Sequence, residues 1–79
     1  KLQMEFYPNP VNNIVQVQLS EQVNNATLKV YTITGQVVLE KTKVSGNKFQ
    51  LQIENLASGT YFIELTENGN SSRNKLIKN

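Results

Sequence analysis

The chain has no cysteine, no histidine, no aspartate and no tryptophan. Without cysteine there is no disulfide and no thiolate metal site. Without histidine and aspartate the usual general base, the usual zinc ligands and most catalytic triads are missing. Charge is scarce too: the formal net charge is +2, too little to argue for nucleic acid. No apolar run approaches the roughly 20 residues that a membrane-spanning helix needs. No signal peptide begins at Lys1, which leaves a cytoplasmic protein or a piece of a longer secreted one. With 79 residues the expectation is one domain, 1–79, burying about 60–65% of its unfolded surface.

What is abundant is amide and β-former. Eleven asparagines and seven glutamines suit an extracellular bacterial module. Leu56–Leu65, LASGTYFIEL, joins a turn to the most apolar stretch of the chain. Gly59 is suited to a positive φ. Tyr61, Ile63 and Leu65 share a face by the two-residue period, and Phe62 takes the other. Such a strand belongs in the middle of a sheet. It stops at Asn68-Gly69, a hairpin signal, and SSRNKLIKN returns as the last strand.

Upstream, Pro8 and Pro10 flank Asn9 and favour an extended lead-in, with Phe6 or Tyr7 under the first sheet. Val11–Asn13 reads as a turn. Val15, Val17 and Leu19 alternate with Gln16 and Gln18, as in a half-buried strand. Ser20–Asn25 reads as a loop. Ala26, Leu28 and Val30 repeat the pattern, with Thr27, Lys29 and Tyr31 outward. Thr32–Gln36 reads as a hairpin loop with Gly35 at a positive φ. Val37 and Leu39 are expected on one face, Val38 and Glu40 on the other. Lys41–Asn47 holds a turn at Ser45-Gly46-Asn47, after which Phe49, Leu51 and Ile53 alternate cleanly. Six or seven short strands without a helix predict an all-β fold, an immunoglobulin-like antiparallel β-sandwich of about seven strands.

Candidates for chemistry are few. The six acids are all glutamates, and Glu64 and Glu67, three apart on a strand, point to opposite faces. No GxSxG, P-loop or HExxH occurs. No catalytic residue, metal site or cofactor is expected, and no nucleic-acid partner. Arg73, Lys75 and Lys78 make the last ten residues basic, which reads as a charged edge strand or as a recognition tail.

Four pieces stand in an informative order: Phe6-Tyr7-Pro8-Asn9-Pro10; Val30-Tyr31-Thr32-Ile33-Thr34-Gly35-Gln36-Val37-Val38; Leu56-Ala57-Ser58-Gly59-Thr60-Tyr61-Phe62-Ile63; and Lys75-Leu76-Ile77-Lys78. Together they resemble the C-terminal sorting domain of type IX secretion substrates, type A, of Bacteroidetes. The resemblance covers nearly the whole chain. Thr32 departs from it, standing where the family often has aspartate. The resemblance implies a seven-stranded sandwich at the end of a larger secreted cargo, with no catalysis of its own. It also implies recognition by an outer-membrane shuttle barrel and the type IX translocon, and removal by a sortase-like cell-surface protease. The cargo then lies at the cell surface or outside. Lys75, Leu76, Ile77, Lys78 and Asn79 become the partner-binding tail, offered as a strand or peptide. Tyr7, Pro8, Asn9, Pro10, Gly35, Leu56, Gly59 and Tyr61 become structural motif residues, with the prolines stiffening the junction with the cargo and Tyr61 anchoring the core.

Two other classes fit the residues. An adhesion or carbohydrate-binding sandwich needs an exposed aromatic platform, and Tyr7, Tyr31 and Phe62 are dispersed along the chain. A passive spacer needs nothing further. An exposed terminal strand would also permit an edge-strand homodimer.

Overall fold

The computed structural model describes residues 3–8 and 10–79, so Asn9 lies outside the described residues. They form β1 (Met4–Tyr7), β2 (Ile14–Thr32), β3 (Val37–Gln52), β4 (Gly59–Glu67) and β5 (Asn70–Lys78), with no helix among the described residues. Every strand pairing is antiparallel. The order is β1-β2-β4-β5, with β3 on the other side of β2.

Length forces the shape. A straight strand of 19 residues, the length of β2, would run about 60 Å, yet the longest dimension of the molecule is 31 Å. The β2–β3 hairpin therefore bends in the middle and contributes to both layers. The first half of β2 lies between β1 and β3, and its second half between β3 and β4. Counted by halves, the sandwich has the seven segments expected; counted as continuous strands, it has five.

The bend corrects two expectations. Ser20–Asn25 is not a loop and Lys41–Asn47 is not a chain reversal; Val23 pairs with Gly46 and Ala26 with Val44 inside the hairpin. The turn-forming residues serve a different purpose there. Inward positions on β2 are odd through Val23 and even from Ala26. A strand alternates strictly, so one residue must break the period. Asn25 does so, with φ 55, next to the register shift between Val23 and Ala26. On β3 the packed positions run from Leu39 to Val44 to Phe49, odd to even to odd. Lys43 (φ 56) and Gly46 (φ 113) supply the two breaks. Such bulges bend a strand and raise its twist. Hydrogen bonds tie the corner: Asn25 N donates to Ser45 Oγ (3.2 Å), Gln18 Nε2 to Asn47 O (3.2 Å) and Asn24 N to Glu67 Oε2 (2.6 Å).

A further bulge lies near the hairpin tip. Val30 pairs with Leu39 but Tyr31 with Val37, which leaves Val38 as the extra residue. Val37 therefore faces outward and Leu39 packs on the core, so the expected shared face is broken. The tip itself behaves as expected. Gly35 has φ 97 and Thr32 N donates to Gln36 O (2.8 Å). Thr32 Oγ1 accepts from Gln36 N (3.1 Å) and so provides a side-chain acceptor in the turn. At the β4–β5 turn Asn68 and Gly69 have φ 51 and 84, the two positive values that a type I′ turn requires.

The core is built from Val15, Val17 and Leu19 with Leu51 and Ile53 of one layer, and Leu28, Val30, Ile63, Leu65 and Leu76 of the other, all at most 2% exposed. β4 is flanked by β2 and β5, as its apolar sequence predicts. Val11 was expected in a turn, but it is fully buried and paired in parallel with Lys78. Its N donates to Ile77 O (2.9 Å) and its O accepts from Asn79 N (2.8 Å). This stitch fastens the start of the chain to the far side of β5. Asn74 Nδ2 adds a bond to Met4 O (2.6 Å). The flanking prolines thus lie inside the domain, between β1 and Val11, and not at its junction with other sequence.

Two substitutions test this packing. Leu76→Ala removes a fully buried side chain and should cost about 2–5 kcal/mol, seen as a fall in melting temperature of about 4–8 °C per kcal/mol in a domain of this size. Gly59→Val meets no atom within 4 Å of a new Cβ. The φ of 149 disfavours any side chain there, at a cost of roughly 1 kcal/mol or more. An unchanged midpoint in urea would contradict the assignment.

Candidate recognition surface

Of the expected tail residues, Lys75, Leu76, Ile77 and Lys78 fall on β5 and Asn79 directly follows it; they split by alternation. Leu76 points into the core and Lys78 is only 9% exposed. Lys75, Ile77 and Asn79 face out. The tail is thus a built-in strand and not a loose peptide. Its far edge near the end is already bonded to Val11, which closes that stretch to an added strand and to the expected edge pairing of two copies. Removing Lys75–Asn79 would take a core residue and the stitch with it.

The outward face of β2, β4 and β5 carries what the linear sequence scatters. Val37, Tyr31, Phe62 and Lys75 stand in one row across four strands. Glu40, Lys29, Glu64 and Arg73 form the next row. Tyr31 and Phe62, far apart in the sequence, are cross-strand neighbours. Two of the three aromatics that are dispersed along the chain thus meet on one face. Tyr7 is not with them; it sits on β1, half exposed, opposite Gln16.

Arg73 organises this face. Its guanidinium lies 5.0 Å from the Tyr31 ring centre and 5.7 Å from that of Phe62, within cation–π range, and 3.9 Å from Glu64. Tyr31 OH donates to Glu64 Oε1 (2.8 Å). That bond raises the Tyr31 phenol above its ordinary value, with burial and the charge of Glu64 adding and Arg73 opposing. Because Arg73 covers both rings, the pair offers no bare platform for a sugar to stack on.

Tyr61 and Leu56, two of the motif residues, hold the turn before β4 in place. Tyr61 OH donates to Ala57 O (2.6 Å), pinning the Leu56–Gly59 corner in the manner of a tyrosine corner. Leu56 packs on the core and its N donates to Ile53 O (3.0 Å). Pro8 and Pro10 are exposed. Glu64 and Glu67 have separate uses, on Arg73 and on Asn24 N. No group of metal-ligating residues is found among the described residues.

The described residues form an all-β domain with a buried apolar core and an outward face ordered around Arg73. The family model for the secretion system C-terminal sorting domain matches residues 5–79. The chain belongs to that family and is a type IX secretion sorting signal. The family is one of sorting signals and not of enzymes. Membership implies a secreted or cell-surface cargo and contact with the type IX machinery. Among curated proteins none matches the chain.

The raised phenol gives a pH prediction. A folded pKa above the unfolded value of about 10 means that the stabilisation by protonated Tyr31 is complete at neutral pH. It is lost as pH rises through the folded pKa. Ultraviolet titration should show the Tyr31 phenol ionising above the ordinary range, as the component of the curve lost in Tyr31→Phe. A variant curve that loses only a component in the ordinary range would refute the assignment.

Proposed function

We propose that residues 1–79 form the single C-terminal sorting domain, of type A, of a larger secreted cargo. An outer-membrane shuttle barrel and the type IX translocon read it, and a sortase-like cell-surface protease cuts upstream of it. The domain performs no catalysis. The observation that carries the reading is the family match over nearly the whole chain. The outward placement of Lys75 and Ile77 on a strand whose alternate residues are buried, with the exposed Asn79 just after it, supports direct reading of the tail: the fold presents these side chains while bonding their backbone in place. The cargo travels through the periplasm and ends at the cell surface or beyond it.

The test is export of a reporter carrying a signal peptide and this domain, in a bacterium with the type IX pathway. The intact domain should reach the surface. A variant with Lys75, Ile77 and Asn79 all replaced by Ser leaves Leu76 and Lys78 in place. It should melt like the parent but stay in the periplasm. Equal export of the two would mean that the tail acts only through the fold. Retention of the intact domain would end the sorting reading and favour an adhesion module or a spacer. Gly59→Val should lower melting temperature and export together.

A further inference from the structure

Among the described residues, three of the five exposed large apolar side chains lie toward the hairpin end of the outward face. Ile33, at the hairpin tip, is 70% exposed; Val37 is 43% and Ile77 40% exposed. Val37 is in register with Tyr31 and Phe62, and Ile77 lies opposite Thr60 on β4, two residues before Phe62. A sheet face normally turned to water is polar, so apolar side chains gathered there mark an interaction surface. The charges around the patch are not balanced. Lys29 sits in register with both Glu40 and Glu64, and Glu64 also serves Tyr31 and Arg73. Lys75 stands opposite Phe62, not opposite an acid. The rim on the β5 side is therefore cationic, with Arg73 held flat against the aromatic pair.

We propose that the surface read on this domain is the outward face of the β2–β4–β5 sheet and not the terminal strand alone. Ile33 and Val37 of the hairpin act with Ile77 and Lys75 of the tail. The occupant is a folded partner protein whose apolar patch lies flat on these residues and which sets a carboxylate against Lys75. Strand addition at the end of β5 does not fit, because Val11 already bonds Ile77 O and Asn79 N there. The inference rests on the sorting reading and deepens it: it names residues far from the tail that recognition requires.

The test uses the same export reporter. Ile33→Glu and Val37→Glu should melt like the parent, being exposed, yet lower surface delivery about tenfold or more, since each ~1.4 kcal/mol lost from binding is tenfold. Gln52→Glu, exposed on the other layer, should be exported normally. Lys75→Glu should fail and Lys75→Arg should pass. If either hairpin variant melts early, Ile33→Ser and Val37→Ser replace them. Normal export of the hairpin variants alongside failure of Ile77→Glu would confine recognition to the tail and overturn the proposal. Normal export of Lys75→Glu would overturn the acidic partner. Retention of the intact domain would sink the sorting reading itself, a separate result. Two measurements on the purified domain address other occupants. A dimer in sedimentation that Val37→Glu dissolves would assign the face to a second copy. Binding to phosphatidylglycerol vesicles that Lys75→Glu abolishes would assign it to a lipid surface. Either would overturn the proposal; a monomer that ignores the vesicles supports it.

Discussion

One bent hairpin carries this domain. β2 touches β1, β3 and β4, so both layers of the sandwich are anchored to a single strand. A strand of that length cannot lie straight in a molecule this small, and it cannot bend without breaking the alternation that keeps its apolar side chains inward. Asn25, Lys43 and Gly46 absorb the break with positive φ angles. The core then continues across the corner, with Leu19 and Val23 on one side and Ala26 and Leu28 on the other, all buried. Asparagine tolerates this backbone better than most residues, and glycine better still; the lysine at position 43 is the exception.

The second constraint is the stitch at the end of the chain. Val11 has no side-chain chemistry, yet it occupies the core and bonds the backbone on both sides of Lys78. It turns a curled sheet into a nearly closed one and covers an edge that would otherwise invite pairing with another chain. It also makes the last residues structural and presentational at once. Leu76 holds the strand down while Lys75 and Ile77 are displayed. Backbone bonds on both sides hold this strand in place, and a strand already ordered lowers the ordering cost of any binding to it.

The outward face follows from register. Nothing local joins Tyr31 to Phe62 or Phe62 to Arg73. The β2–β4 and β4–β5 ladders bring them together, and Arg73 settles over both rings with Glu64 as its counter-ion. The rings are thus used to hold a cation, which leaves the apolar contact surface to Ile33, Val37 and Ile77.

The sequence by itself determined the all-β class, the inward residues of most segments, the Gly35 and Asn68-Gly69 turns, the Tyr61 anchor and, through four short motifs, the family. These are local: alternation and turn chemistry act over a few residues, and a motif needs only its own letters. Tertiary structure alone decided that Ser20–Asn25 and Lys41–Asn47 are corners of continuous strands, because a bulge and a loop use the same residues and differ only in what pairs across them. It decided that Val37 turns out while Leu39 turns in, since that depends on one extra residue in a ladder. It decided that Val11 is core and that the tail's edge is closed. It assembled Tyr31, Phe62, Glu64 and Arg73 on one face, because cross-strand neighbours are set by register between segments up to forty-two positions apart (Tyr31 to Arg73), and sequence spacing carries no trace of it.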